Sequence, residues 1–88
     1  MKVLACVPHT TKKDKVIVSV YADKGLKQND ILFLPKKDGT SQQCTVESIM
    51  ICCGRTEVPP KTNISFTTSG FNPKDILTQK TFDQNTGR

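Results

Sequence analysis

Four cysteines are the most reactive side chains in this chain, and their spacing argues against a shared site. They are Cys6, Cys44, Cys52 and Cys53. Zinc sites usually contain two cysteines separated by two residues, and this sequence has no such pair. Cys52 and Cys53 are adjacent, so on a strand they point to opposite faces and cannot bind one metal together. We interpret the cysteines as reduced core side chains and predict no metal and no cofactor, with zinc or disulfides as the alternatives.

A single histidine and eight carboxylates are the other candidates for catalysis. His9 lies in a polar segment, and the sequence places no serine or cysteine beside it as a nucleophile. The carboxylates occur singly, mostly in segments typical of turns, so no acid–base pair is indicated. The glycine-rich motifs that bind nucleotide phosphates are absent from the sequence. We therefore expect no catalytic residues and predict that the protein is not an enzyme.

Lysines give the clearest indication of a ligand. The net charge is +5 and the pI is about 9.2. A basic surface on a small domain suits an anionic partner such as RNA, and a merely solvated lysine-rich surface is the alternative. Many of the lysines fall in the first half of the chain, in segments typical of loops and turns. From these, the predicted contacts to RNA phosphates are Lys12, Lys13, Lys15, Lys36 and Lys37.

Short strands are the elements that would position these residues. Alternating or continuous apolar runs predict strands at 3–7, 16–21, 31–34, 43–53, 63–68 and 80–83. The second strand should have one fully apolar face, and the continuous run at 31–34 predicts burial on both faces. The fourth strand is so long that we expect a bend where it passes from one neighbouring strand to another.

Turn signals separate the strands. Asp38-Gly39 predicts a hairpin, and the segment 73–77 predicts one helical turn with Asn72 as its cap. The apolar residues show no helical periodicity over the length of a helix. No run of 18 apolar residues occurs, so we expect no membrane span. We interpret residues 1–8 as a first strand and not as a targeting segment. The pattern predicts an all-β fold, a small closed antiparallel barrel of six to seven strands over residues 1–83, with a frayed tail at 84–88.

The order of motifs over residues 25–82 resembles a known family. The motifs read G-L-K-Q-N-D at 25–30, I-L-F-L-P at 31–35, V-E-S-I at 46–49, V-P-P-K-T at 58–62 and G-F-N-P-K-D-I at 70–76. This order is similar to the second, β-barrel domain of translational GTPases of the elongation factor Tu and elongation factor 1-alpha type. The chain departs from the family pattern at three positions where glycine is usual, which hold Asn29, Lys61 and Gln79.

The resemblance implies a non-catalytic, cytoplasmic, monomeric module that contacts tRNA or ribosomal RNA and packs on a GTPase domain. That nucleotide-binding domain would lie on another part of the parent protein or be absent altogether. A second hypothesis is a protein-interaction barrel that kept the fold and lost the RNA role, with a partner docking near Pro59, Pro60 or Phe71. A third is an unrelated small barrel that binds single-stranded nucleic acid.

Overall fold

This computed structural model describes residues 1–50 and 57–88. The regular elements within them are eight strands and one short 3₁₀ helix. The all-β prediction is confirmed. The 3₁₀ helix is Pro73–Asp75. The strands are β1 (Lys2–Pro8), β2 (Lys15–Ala22), β3 (Leu26–Lys27), β4 (Ile31–Pro35), β5 (Ser41–Thr45), β6 (Ser48–Ile49), β7 (Glu57–Val58) and β8 (Thr62–Ser69).

The largest sheet has four antiparallel strands in the order β1-β2-β8-β6. Its centre is the ladder between β2 and β8, which pairs Lys15 with Ser69 at one end and Ala22 with Thr62 at the other. Every second residue of β2 is buried, beginning with Val16. This confirms the predicted apolar face, since alternate side chains of a strand point to the same side of the sheet. On the neighbouring strand β8, the fully buried Phe66 lies opposite Val18.

Strands β4 and β5 form a separate hairpin at the predicted Asp-Gly turn. Lys36 N donates to Thr40 O at 2.8 Å, and Gly39 has a φ of 92°, which glycine adopts without strain. Burial of β4 on both faces was the wrong prediction, because Ile31 is 57% exposed. A two-stranded hairpin that packs one side on the core leaves alternate residues of β4 facing outward.

The long strand predicted at 43–53 is divided in the structure into β5 and β6, and the expected change of neighbouring strand falls between them. The chain pairs with β4 along β5, and after residues 46 and 47 it pairs with β8 along β6. At the change of partner, Val46 exchanges hydrogen bonds with the turn before β4: its N donates to Asp30 O, and its O accepts from Asn29 N. The part of the predicted strand from 51 to 53 lies outside the described residues.

The predicted closed barrel is not formed by the described strands, which fall into three sheets of four, two and two strands. No continuous ladder joins the β4–β5 hairpin to the large sheet within residues 1–50 and 57–88. The outer edge of β1 is instead covered by a C-terminal segment without regular strand structure. There Gln79 N donates to Val3 O and Phe82 N to Met1 O. The strand predicted at 80–83 is reduced to one isolated bridge, between Lys2 and Thr81.

Residues 84–88 fold back on the β4–β5 hairpin, which differs from the frayed tail that their composition predicts. Phe33 N donates to Gln84 O at 2.9 Å, and Asp83 N donates to Arg88 O at 2.8 Å. Gly87 is buried at this contact. One hydrogen bond to β4 and others within the C-terminal segment therefore hold these residues, although their own sequence contains little apolar surface.

Candidate nucleic-acid interface

The loop of residues 9–14 between β1 and β2 carries two of the candidate lysines. The ring of His9 organises this loop, because its Nδ1 accepts hydrogen bonds from Thr11 N at 3.1 Å and from Lys12 N at 3.2 Å. The backbone N of His9 also donates to Lys15 O, which closes the loop. Lys12 and Lys13 are exposed on it. The sequence indicated only a solvated histidine, and a histidine followed by two threonines was the available signal for a loop-closing role.

Lys15 differs from its neighbours because it is half-buried in an ion pair. Its Nζ contacts Glu47 Oε1, and the second carboxylate oxygen of Glu47 accepts a hydrogen bond from Ser69 Oγ at 2.6 Å. The pKa of Glu47 is lowered, chiefly by the hydrogen bond from Lys15 and then by that from Ser69. The Lys15 ammonium is thus neutralised within the fold, where it ties β2 to the crossover between β5 and β6.

Lys36 and Lys37 lie at the start of the β4–β5 turn, close to the 3₁₀ helix. Lys37 N donates to Asp75 O at 2.9 Å, and Lys36 forms an isolated bridge with Ile76. The neighbouring Asp38 carboxylate accepts from the Thr40 hydroxyl at 2.6 Å. Its pKa is lowered, mainly by this hydrogen bond. The turn therefore has a fixed shape, with Lys37 exposed and Lys36 half-buried.

The 3₁₀ helix lies between the two groups of lysines. Its cap is as predicted, since the Asn72 side chain accepts a hydrogen bond from Lys74 N at 3.0 Å. On one side, Pro73 borders a shallow pocket together with Lys13 and Lys15. On the other side, the helix contacts the lysine turn through its last residue, as described above. The two lysine groups, far apart in sequence, thus flank one short element.

The residues proposed for docking of a protein partner lie at opposite ends of β8. Pro59 and Pro60 are exposed just before the strand and border an open pocket of about 990 Å³. Phe71 follows the other end of the strand, where it is half-buried and packs against the core. An eight-residue strand is about 25 Å long. The structure therefore does not bring these three residues into one surface.

Three residues other than glycine have a left-handed backbone in the described part of the chain. They are Asn29, Lys61 and Gln79, with φ of 74°, 61° and 64°. Each donates its backbone N–H to a different element: Asn29 to Val46 O, Lys61 to Ala22 O and Gln79 to Val3 O, at 2.7 to 2.8 Å. The conformations are thus held by contacts of the fold, and the residue types at Lys61 and Gln79 do not themselves favour them.

A scan against protein-family models and searches of curated proteins and of solved structures found no match to this chain. In residues 1–50 and 57–88, no helix has the length and apolar character needed to cross a membrane. The same residues bring no three potential metal ligands together. Cys6 and Cys44 are free thiols, and Cys52 and Cys53 lie outside the described residues.

Proposed function

We propose that this chain is a non-catalytic module related in fold to the second domain of translational GTPases, and that it contacts tRNA or ribosomal RNA in the cytoplasm. The observation that carries the proposal is the position of the left-handed residues. Asn29, Lys61 and Gln79 are the three positions where the family pattern has glycine, and they are the residues other than glycine with positive φ among those described. A positive φ occurs in only a few per cent of such residues, so agreement at all three positions supports a shared backbone.

The proposed RNA contacts are four lysines on either side of the 3₁₀ helix, of which three are exposed and Lys36 is half-buried. Lys12 and Lys13 project from the loop after β1, and Lys36 and Lys37 from the β4–β5 turn. Ammonium groups on flexible side chains attract phosphates mainly through release of counterions, which gives affinity with little sequence specificity. Lys15 contributes less to this surface, because its charge is already paired with Glu47. We further propose that a GTPase domain packs on a face of the module other than this lysine surface.

The test is the salt dependence of RNA binding, measured by fluorescence anisotropy with labelled tRNA. Four phosphate contacts would give a slope of log K against log salt of about −3, or roughly a 60-fold loss of affinity between 50 and 200 mM salt. The double variant Lys12→Glu, Lys13→Glu should bind weakly and with a shallower slope. Lys15 is left unchanged in this variant, since its replacement would also break the ion pair to Glu47.

The matched control is Lys24→Glu, Lys27→Glu, which changes the net charge by the same amount at two other exposed lysines. Equal losses in both variants would mean that only the overall charge attracts RNA and would refute the assigned surface. Purification of the chain from its native extract, with and without ribonuclease, then identifies the RNA. Recovery of tRNA or ribosomal RNA that ribonuclease abolishes is the expected result.

The second candidate is a protein-interaction module, and the exposure of Pro59 and Pro60 beside the large open pocket favours it. Paired prolines present rigid apolar surface with little loss of entropy on binding. A partner that docks there would be recovered after ribonuclease treatment, and its affinity would depend little on salt. That outcome would replace the RNA proposal, because the lysines would then play no part in binding.

A further inference from the structure

We infer that a basic pocket, formed by the C-terminal segment and the β4–β5 turn, binds a phosphate group. The pocket has a volume of about 150 Å³. Three cationic side chains from separate parts of the chain line it: Lys36, Lys80 and Arg88. Of the three, only Lys36 belongs to the lysine groups that flank the 3₁₀ helix.

Charge and chemistry both suit a phosphate. Among the described residues that line the pocket there is no aspartate or glutamate side chain. Asp38, two residues after Lys36 and outside the lining, accepts two hydrogen bonds from Thr40, and the charge of Lys36 also helps to lower its pKa. Thr81 adds a hydroxyl to the lining. A guanidinium group, ammonium groups and a hydroxyl are the donors that proteins use for phosphate oxygens.

The backbone that brings these groups together is fixed. Leu77 N donates to Pro35 O at 2.8 Å, which holds the segment before Lys80 against the β4–β5 turn. Gly87 places Arg88 by packing closely on β5, since a Cβ at Gly87 would lie 2.5 Å from Ser41 Cβ. The Gly87 φ of 76° also favours glycine. The pocket is therefore built by tertiary contacts and is not merely a local cluster of surface lysines.

Inorganic phosphate is the probe, followed by ¹H–¹⁵N correlation spectra of the full chain. We expect saturable shifts centred on the amides of Thr40, Lys80, Thr81 and Gly87. Neutralising an exposed cation at a phosphate contact should weaken binding about two- to fivefold. Lys36→Gln, Lys80→Gln and Arg88→Gln should each do so, and Lys74→Gln, which removes an equal charge outside the pocket, should not. Shifts that do not saturate, or that spread over all lysines alike, would overturn the inference.

Gly87→Ala separates a built pocket from simple charge attraction, because it keeps every charge and moves Arg88 away from the other two cations. It should weaken phosphate binding as much as Arg88→Gln does, and an unchanged affinity would contradict the inference. Competition with a short RNA then identifies the source of the phosphate. If the RNA displaces bound phosphate, the ligand of the pocket is an RNA backbone. If phosphate binds and the RNA does not displace it, the ligand is a free phosphorylated compound. In that case the RNA proposal is decided by its own test, the salt dependence of RNA binding.

Discussion

Replacing Lys61 by glycine should stabilise the protein, although removal of a side chain usually does the opposite. Lys61 has a φ of 61° in the turn before β8, and its backbone N–H bonds to Ala22 O. Its side chain is exposed, so its loss removes little packing. A residue with a Cβ pays for the left-handed conformation through contact between the Cβ and the following carbonyl oxygen, and glycine does not.

The size of the effect follows from two opposing terms. Relief of the left-handed conformation is worth roughly 1–2 kcal/mol. The greater freedom of glycine in the unfolded chain costs about 0.4–1 kcal/mol. We therefore expect Lys61→Gly to raise the free energy of unfolding by about 0.5–1 kcal/mol relative to Lys61→Ala, which keeps the Cβ. For a domain of this size, that difference corresponds to a rise in Tm of about 2–8 °C.

The assay is reversible urea unfolding followed by circular dichroism. A second pair of variants, Lys27→Ala and Lys27→Gly, serves as the control, since Lys27 is equally exposed in β3 and its φ is not positive. At Lys27 the change from alanine to glycine should destabilise by roughly 0.5–1 kcal/mol. The sign of the difference should therefore invert between the two positions. A loss at Lys61 as large as that at Lys27 would refute the left-handed turn, and with it the main support for the proposed relationship.

Two further predictions concern titratable groups. Hydrogen bonds from Lys15 and Ser69 lower the pKa of Glu47 from its ordinary value of 4.5, so the ion pair stabilises the fold above that pH, and this stability is lost as the pH falls through the folded pKa. Glu47→Gln should cost about 0.5–1 kcal/mol at pH 7. It should also flatten the fall of the unfolding free energy below pH 4.5, and an unchanged acid profile would contradict the role of the pair. Burial raises the pKa of the Cys6 thiol to about 11 and that of Cys44 to about 12. At pH 8, iodoacetamide should therefore leave both thiols largely unmodified until urea unfolds the chain, as measured by peptide mass mapping. Rapid modification of both in the native state would show that neither thiol is protected.

Local patterns in the sequence predicted those features that local interactions determine. The alternation in β2 gave its buried face, Asp38-Gly39 gave the hairpin, and Asn72-Pro73 gave the capped turn. The change of partner after β5 was also foreseen, because a strand that runs for eleven residues exceeds what one neighbour in a small sheet can pair. In each of these cases the signal lies within a few residues of the structure it specifies.

Long-range contacts account for what the sequence did not predict. Lys15, a predicted RNA contact, forms an ion pair with Glu47, 32 residues away, and no local pattern indicated that pairing. The covering of β1 by an irregular segment, and not by a regular strand, depends on backbone groups that carry no sequence signal. Gly87 had no pattern around it that would indicate burial. Such features depend on which segments meet in three dimensions, and apolar periodicity does not encode that.

The ladder at the centre of the large sheet also has a consequence for biogenesis. The nearest residues that it joins, Ala22 and Thr62, are about forty positions apart, and pairing of such remote segments slows folding. During synthesis β2 cannot pair with β8 until β8 has been made, and until then β1 is its one neighbouring strand in the sheet. The valines on the inner face of β2 therefore stay partly uncovered. A ribosome-bound chain would therefore expose an aggregation-prone hairpin until β8 has been synthesised. Selection on this protein should act on the speed of its completion as well as on its final stability.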